Sequence, residues 1–163
     1  MELETGMKLA DLIVPEAIIP ELCADDRDGV VREMVMALAT CLKLGDDVAA
    51  SVAESVLERE RGWSTAFGKG VAIPHAKHSA IQGVVGTIAR SSRGVEFRSL
   101  DREPVNLIVL ILSSPDCADE HLAALERVFR FVREGNFRRF VMQAKDSAEI
   151  VSLIAEADEL LGG

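Results

Sequence analysis

Two adjoining stretches near the start of the chain carry apolar residues at helical spacing. Val30, Val31, Met34, Leu38, Cys41 and Leu42 form the first face, opened by Asp25-Asp26 and closed by Gly45. Val48, Val52, Val56 and Leu57 form the second, with Asp46 or Asp47 as its cap and Gly62 as its end. Ahead of both, residues 17–24 are apolar but interrupted by Pro20, which suits an edge strand. Beyond Gly62 the helical pattern stops. Residues 71–73, 84–89 and 94–97 read as short strands, and 100–104 as a turn into a further strand over 105–112. Residues 107–112 are apolar without interruption, so that strand is covered on both faces. Helical spacing returns in Leu122, Leu125, Val128, Phe129 and Val132, behind the acids Asp119 and Glu120. A short helix over 137–142 follows, and Asp146-Ser147-Ala148-Glu149 nearly forms a capping box for a last helix to about Leu161. Helices first, strands in the middle and helices last predict an α/β fold, a mixed sheet of about five strands sandwiched between two layers of helices.

Composition narrows this to one soluble domain. With 163 residues, 48% of them apolar and 28% charged, the chain is long enough for a single core without disulfides or metals. Residues 16–163 read as that domain and residues 1–15 as an N-terminal extension. The formal net charge of -9 leaves no footprint for a phosphate backbone, so nucleic acid is not an expected partner. The first fifty residues hold eleven of the 27 acids but four of the 18 bases, so the acidity is concentrated there. Cys23, Cys41 and Cys117 are odd in number and scattered, which fits a reducing cytoplasm. The longest uncharged run, 104–115, is too short to span a bilayer, so no membrane insertion is expected.

The three histidines are the natural candidates for chemistry near neutral pH. His75 follows Pro74 on a connection expected at the surface, where the proline restricts the direction of the ring; a solvated loop histidine is the plain alternative. Upstream, Gly62, Ser64, Thr65, Gly68 and Gly70 make a loop whose amides and hydroxyls could converge on an anion, or a simple connecting turn. Arg59, near the end of the second helix, offers a guanidinium to phosphate oxygens, or is a solvated base favoured by the helix dipole. His121 lies in the first turn of its helix on the border of the apolar face, where the helix N-terminus keeps the ring neutral; a buried structural histidine competes. His75 and His78 stand three apart, but no cysteine or carboxylate set completes a metal site. Nucleophile elbows, catalytic cysteine signatures and dinucleotide fingerprints are missing.

The run Arg59-Glu60-x-x-x-Ser64-Thr65-x-x-Gly68-x-Gly70-Val71-Ala72-Ile73-Pro74-His75-Ala76-Lys77 resembles the signature of the fructose/mannitol-type enzyme IIA domains of the bacterial phosphoenolpyruvate-dependent phosphotransferase system, including their nitrogen-regulatory branch. The similarity extends from about Ile18 to Glu159, through Val95-Glu96-Phe97-x-x-Leu100-Asp101-x-x-Pro104-Val105 and Asp119-x-His121-Leu122. The resemblance implies that His75 accepts a phosphoryl group from the histidine-containing phosphocarrier protein. It then passes the group to a sugar-permease IIB domain, or its two forms regulate a target protein in nitrogen or other metabolism. It likewise implies His121 as the second active-site histidine and Arg59 as the phosphate-stabilising residue, with Ser64, Thr65 and Gly68 in the phosphoryl-site loop and no metal or cofactor. The rival is a binding regulator in which phosphorylation is only a charge switch or is absent. One departure falls on the loop itself: Trp63, Ala66 and Phe67 stand where smaller residues are expected, commonly glycine at 66, so a local difference in the loop is expected.

Overall fold

The structure is a computed structural model that describes residues 7–161. Among these residues six helices and four strands follow one another as α1 (Leu9–Leu12), a 3-10 turn (Pro15–Ala17), α2 (Arg27–Leu42), α3 (Asp46–Gly62), β1 (Val71–Ala72), β2 (His75–Lys77), β3 (Val84–Val95), β4 (Val105–Ser113), α4 (Ala118–Val132), α5 (Gly135–Gln143) and α6 (Ser147–Leu161). Asp26 caps α2 by accepting the Gly29 N–H at 2.7 Å. At the start of α3 the cap is Gly45, not an aspartate; Asp46 and Asp47 lie inside the first turn, where they favour the dipole instead. The 146–149 sequence does cap α6: Glu149 N–H donates to Asp146 and Lys145 N–H to Glu149, at 3.0 and 2.7 Å.

β4 is the middle of a mixed sheet. β3 runs antiparallel along one side of it, while β1 and β2 lie end to end along the other, both parallel to it. These two short strands are one edge strand interrupted at Ile73-Pro74. Proline lacks an N–H, which confines it to such an edge, yet its carbonyl still accepts the Ile111 N–H at 3.1 Å. Among the described residues the strand total is therefore four rather than five. Residues 94–97 do not form a separate strand: β3 continues to Val95 through a register shift after Arg90. The expected edge strand over 17–24 is reduced to ladder fragments on β3. These are the bridge Ile19↔Ala89 and the bonds Ile19 N–H to Ile88 O and Leu22 N–H to Arg90 O.

Alternation along β4 divides the core. Ile108, Leu110 and Leu112 face α2 and α3, packing with Val31, Met34, Leu38, Val52 and Val56. Leu107, Val109 and Ile111 face the other way, against α1, α4, α5 and α6. All six are essentially inaccessible, and each fully buried aliphatic side chain contributes roughly 1.5–3 kcal/mol. This is the double coverage expected of an uninterrupted apolar strand. The start of the described chain closes the second layer: Leu9 and Leu12 are buried, and the Leu9 and Ala10 N–H groups donate to the Asp158 carboxylate at 2.8 and 2.9 Å.

Candidate functional site

The β2–β4 register decides which side chains meet. His75 pairs with Ile111 and Lys77 with Ser113, so in parallel strands all four point to one face of the sheet, the face covered by α4. His75 thus opens β2 and is half-buried, instead of sitting in the preceding loop. His121 comes down from the first turn of α4, buried, with Nδ1 at 2.5 Å from Ser113 Oγ. The two imidazole centroids lie 5.5 Å apart. Arg59 arrives from the last turn of α3, on the other helical layer, past the sheet edge. Together Ser55, Glu58, Arg59, His75, Ala76, Lys77, His121 and Leu125 line a cleft of about 690 Å³ between the two layers.

Hydrogen bonds fix the chemical state of His75. Its Nδ1 lies 2.8 Å from the Ile73 carbonyl, which can only accept, so Nδ1 carries the proton and Nε2 keeps its lone pair. Burial lowers the His75 pKa; the Ile73 bond opposes this and the Arg59 charge reinforces it. His121 is pulled down to about 4, by burial first and then by His75 and Lys77. Both rings are therefore neutral at pH 7.

A depressed histidine pKa has a consequence for stability. The unfolded chain takes up the His121 proton near the ordinary 6.5 and the folded chain only near 4. The contribution is complete above pH 6.5 and is lost as pH falls through that interval. The interval from 6.5 to about 4, at about 1.4 kcal/mol per pH unit, corresponds to roughly 3 kcal/mol. Urea denaturation of the wild type and of His121→Gln at pH 7 and about pH 4.5 reads this directly. The wild type is expected to lose more stability than the variant, and equal losses would exclude His121 as the source.

The loop residues are placed differently from the histidines. Ser64 Oγ donates to the Phe97 carbonyl at 2.6 Å and accepts the Ala66 N–H at 3.1 Å. Thr65 donates both its N–H and its hydroxyl to Glu60, at 2.8 and 2.9 Å, and its Oγ1 accepts the Ile73 N–H at 3.1 Å. Gly68 has φ 112°, and a Cβ there would stand 3.2 Å from Asp101 Oδ2. None of the three lines the cleft. The backbone takes positive φ at Gly68, Lys69 and Gly70 and not at Ala66, which is buried, so an alanine fits the loop. His78 turns away from His75: its Nε2 meets Ser51 Oγ at 2.9 Å, and its Nδ1 accepts the Ala80 N–H at 3.0 Å.

Four residues at or near the cleft received no role from the sequence: Glu60 and Lys77, which stand in the signature run, and Glu58 and Ser113. Glu60 is 1% exposed near the end of a helix, and a buried acid directly after Arg59 was the available signal. Ser113 is recognisable only from strand register, through its pairing with Lys77.

The model of the family described as phosphoenolpyruvate-dependent sugar phosphotransferase system, EIIA 2, matches residues 12–157. The chain belongs to that family. This EIIA chain is 34% identical over 149 residues to a nitrogen regulatory protein of Bradyrhizobium diazoefficiens, covering 91% of this chain and 95% of that one. It is 31% identical over 153 residues to the fructose-specific EIIABC component of Bacillus subtilis, covering 94% of this chain but 24% of that longer protein. Among solved structures, the nitrogen regulatory protein IIA-Ntr of Neisseria meningitidis superposes with a TM-score of 0.81 at 25% identity, over 90% of this chain and 98% of that one. The Escherichia coli IIA mannitol domain solved in complex with phosphorylated IIB mannitol shares the fold, with a TM-score of 0.71 at 15% identity over 88% of this chain and 97% of that one. Among the described residues of the EIIA chain, no helix is long and apolar enough to cross a membrane.

Proposed function

We propose that this protein is a cytoplasmic phosphocarrier that takes a phosphoryl group onto His75 Nε2 from the histidine-containing phosphocarrier protein and passes it to a recipient protein. The observation that carries this reading is the Nδ1–H bond to the Ile73 carbonyl, which leaves Nε2 as the nucleophile of a neutral ring in a cleft that also holds Arg59. Nε2 attacks phosphorus as the N–P bond of the incoming phosphohistidine breaks, and that bond's electron pair returns to the donor imidazole. The proton stays on His75 Nδ1, where the Ile73 carbonyl stabilises the charge that develops on the ring. Phosphoryl transfer requires positioning and charge stabilisation more than covalent help. Arg59 and Lys77 balance charge on the equatorial oxygens. A neutral His121 whose Nδ1 accepts the Ser113 hydroxyl proton presents Nε2–H to one of them. Ser64, Thr65 and Gly68 serve the site by shaping the loop that holds Ile73 and His75, without contacting the phosphoryl group themselves.

Two recipients follow from the relatives. The fructose-specific component favours a sugar-permease IIB domain. The nitrogen regulatory proteins favour a regulatory target that distinguishes the phosphorylated from the free form by its charge. The first test is incubation with labelled phosphoenolpyruvate, the first enzyme of the system and the carrier. One acid-labile, alkali-stable phosphate per chain is expected, and none on a chain whose carrier is itself labelled would overturn the reading. Arg59→Lys keeps the charge but loses the planar fork, so transfer should slow by about a hundredfold. The exposed position of the residue leaves the urea midpoint nearly unchanged. A wild-type rate in that variant would remove Arg59 from the site.

A further inference from the structure

Folding leaves Trp63 in water. It is the only tryptophan of the chain, and it is 81% exposed. Burial inside the fold therefore gives no account of so large an apolar side chain. Its position is not arbitrary. The Trp63 carbonyl accepts Arg59 Nη1 at 3.0 Å, so the residue stands at the end of α3 directly beside the guanidinium that lines the phosphoryl cleft. A second bulky apolar residue, Leu100, is 82% exposed on the neighbouring loop. The two loops are tied together by Leu100 N–H to Ala66 O and by Ser64 Oγ to Phe97 O, at 3.2 and 2.6 Å. In α4, directly after the cleft residue His121, Leu122 is 59% exposed. A cleft that holds Arg59 and Lys77, with exposed apolar residues following Arg59 and His121 in the chain, suits a protein partner that presents an anion within an apolar patch. A small free anion would gain nothing from the exposed apolar residues.

We infer that Trp63 is the anchor that holds the phosphohistidine-bearing carrier protein over His75, a specificity-determining residue for docking and not for the chemical step. This rests on the phosphocarrier reading above. Because the Arg59 contact is to the Trp63 backbone carbonyl, truncating the indole leaves the phosphate-binding side intact. Trp63→Ala should therefore raise the KM for the phosphorylated carrier by at least about tenfold, as loss of an anchor does, with kcat within about twofold. Trp63→Phe should recover most of the loss. As the sole tryptophan, Trp63 also reports its own burial: with a tryptophan-free carrier in its unphosphorylated form, its emission should shift to shorter wavelength and saturate with concentration.

The control donor is phosphoramidate, a small molecule that needs no docking surface and should label wild type and Trp63→Ala at equal rates. An unchanged KM in Trp63→Ala, or an emission that ignores the carrier, overturns the anchor while the phosphocarrier function stands. A wild type labelled by phosphoramidate but not by the carrier overturns the carrier as partner, and this inference with it.

Discussion

The H75N protein is expected to take up no acid-labile phosphate from phosphoenolpyruvate, the first enzyme of the system and the carrier, under conditions in which the wild type is labelled to completion. Asparagine is the informative substitution because its amide can keep a donor near the Ile73 carbonyl, now met by His75 Nδ1 at 2.8 Å. It has no counterpart of Nε2. The fold loses little and the nucleophile is lost altogether, so the rate should fall to background and not merely slow. His121→Ala provides the contrast. That ring stands 5.5 Å from His75, centroid to centroid, and is bonded to Ser113, so its removal subtracts one donor to the phosphoryl oxygens and should cost about a hundredfold in rate while label still appears. Intact-mass analysis of the three proteins after timed incubation separates the roles. Label on H75N would place the acceptor elsewhere, and complete loss in His121→Ala with retention in H75N would exchange the two histidines.

Pattern was enough to read the five longer helices and the doubly covered strand β4, because these are repeated over many residues and answer to burial, whereas the single turn α1 fell in the segment read as an extension. Residue type made Arg59, His75 and His121 candidates, and the family resemblance implied their roles; the structure brings them to one cleft from α3, β2 and α4. What could not be read is whatever depends on register between distant segments. Nothing local reveals that β1 and β2 are one strand broken at Pro74, nor that Lys77 pairs with Ser113, which places the His121 partner beside His75. The Ser64-Thr65 loop shows the same limit in another form. Its hydroxyls are the residue types an anion would use, but Phe97, a distant residue, claims that of Ser64, and Glu60, five residues upstream, that of Thr65.

Glu60→Ala is expected to damage both stability and transfer, the largest combined effect of any residue outside the cleft. The carboxylate is 1% exposed and receives the N–H and the hydroxyl of Thr65. Thr65 Oγ1 in turn accepts the Ile73 N–H, and the Ile73 carbonyl holds His75 Nδ1. Four residues thus form a continuous chain of hydrogen bonds from the end of α3 to the nucleophile. Truncation leaves two Thr65 donors without their acceptor in a partly buried site, at a cost of about 1–3 kcal/mol each, so a total near 3 kcal/mol is expected in urea denaturation. The same loss frees Ile73 and with it the direction of Nε2, for which small misplacements are costly in rate. Transfer should be measured well below the unfolding midpoint, where every molecule is folded, so that stability and positioning are read separately. A Glu60→Ala, Thr65→Ala double-mutant cycle should show coupling of at least about 1 kcal/mol in stability and a shared loss in rate. A destabilised but kinetically normal Glu60→Ala protein would confine the chain of bonds to the scaffold. A slow one, insensitive to the further loss of Thr65, shows the two residues acting through a single path to His75.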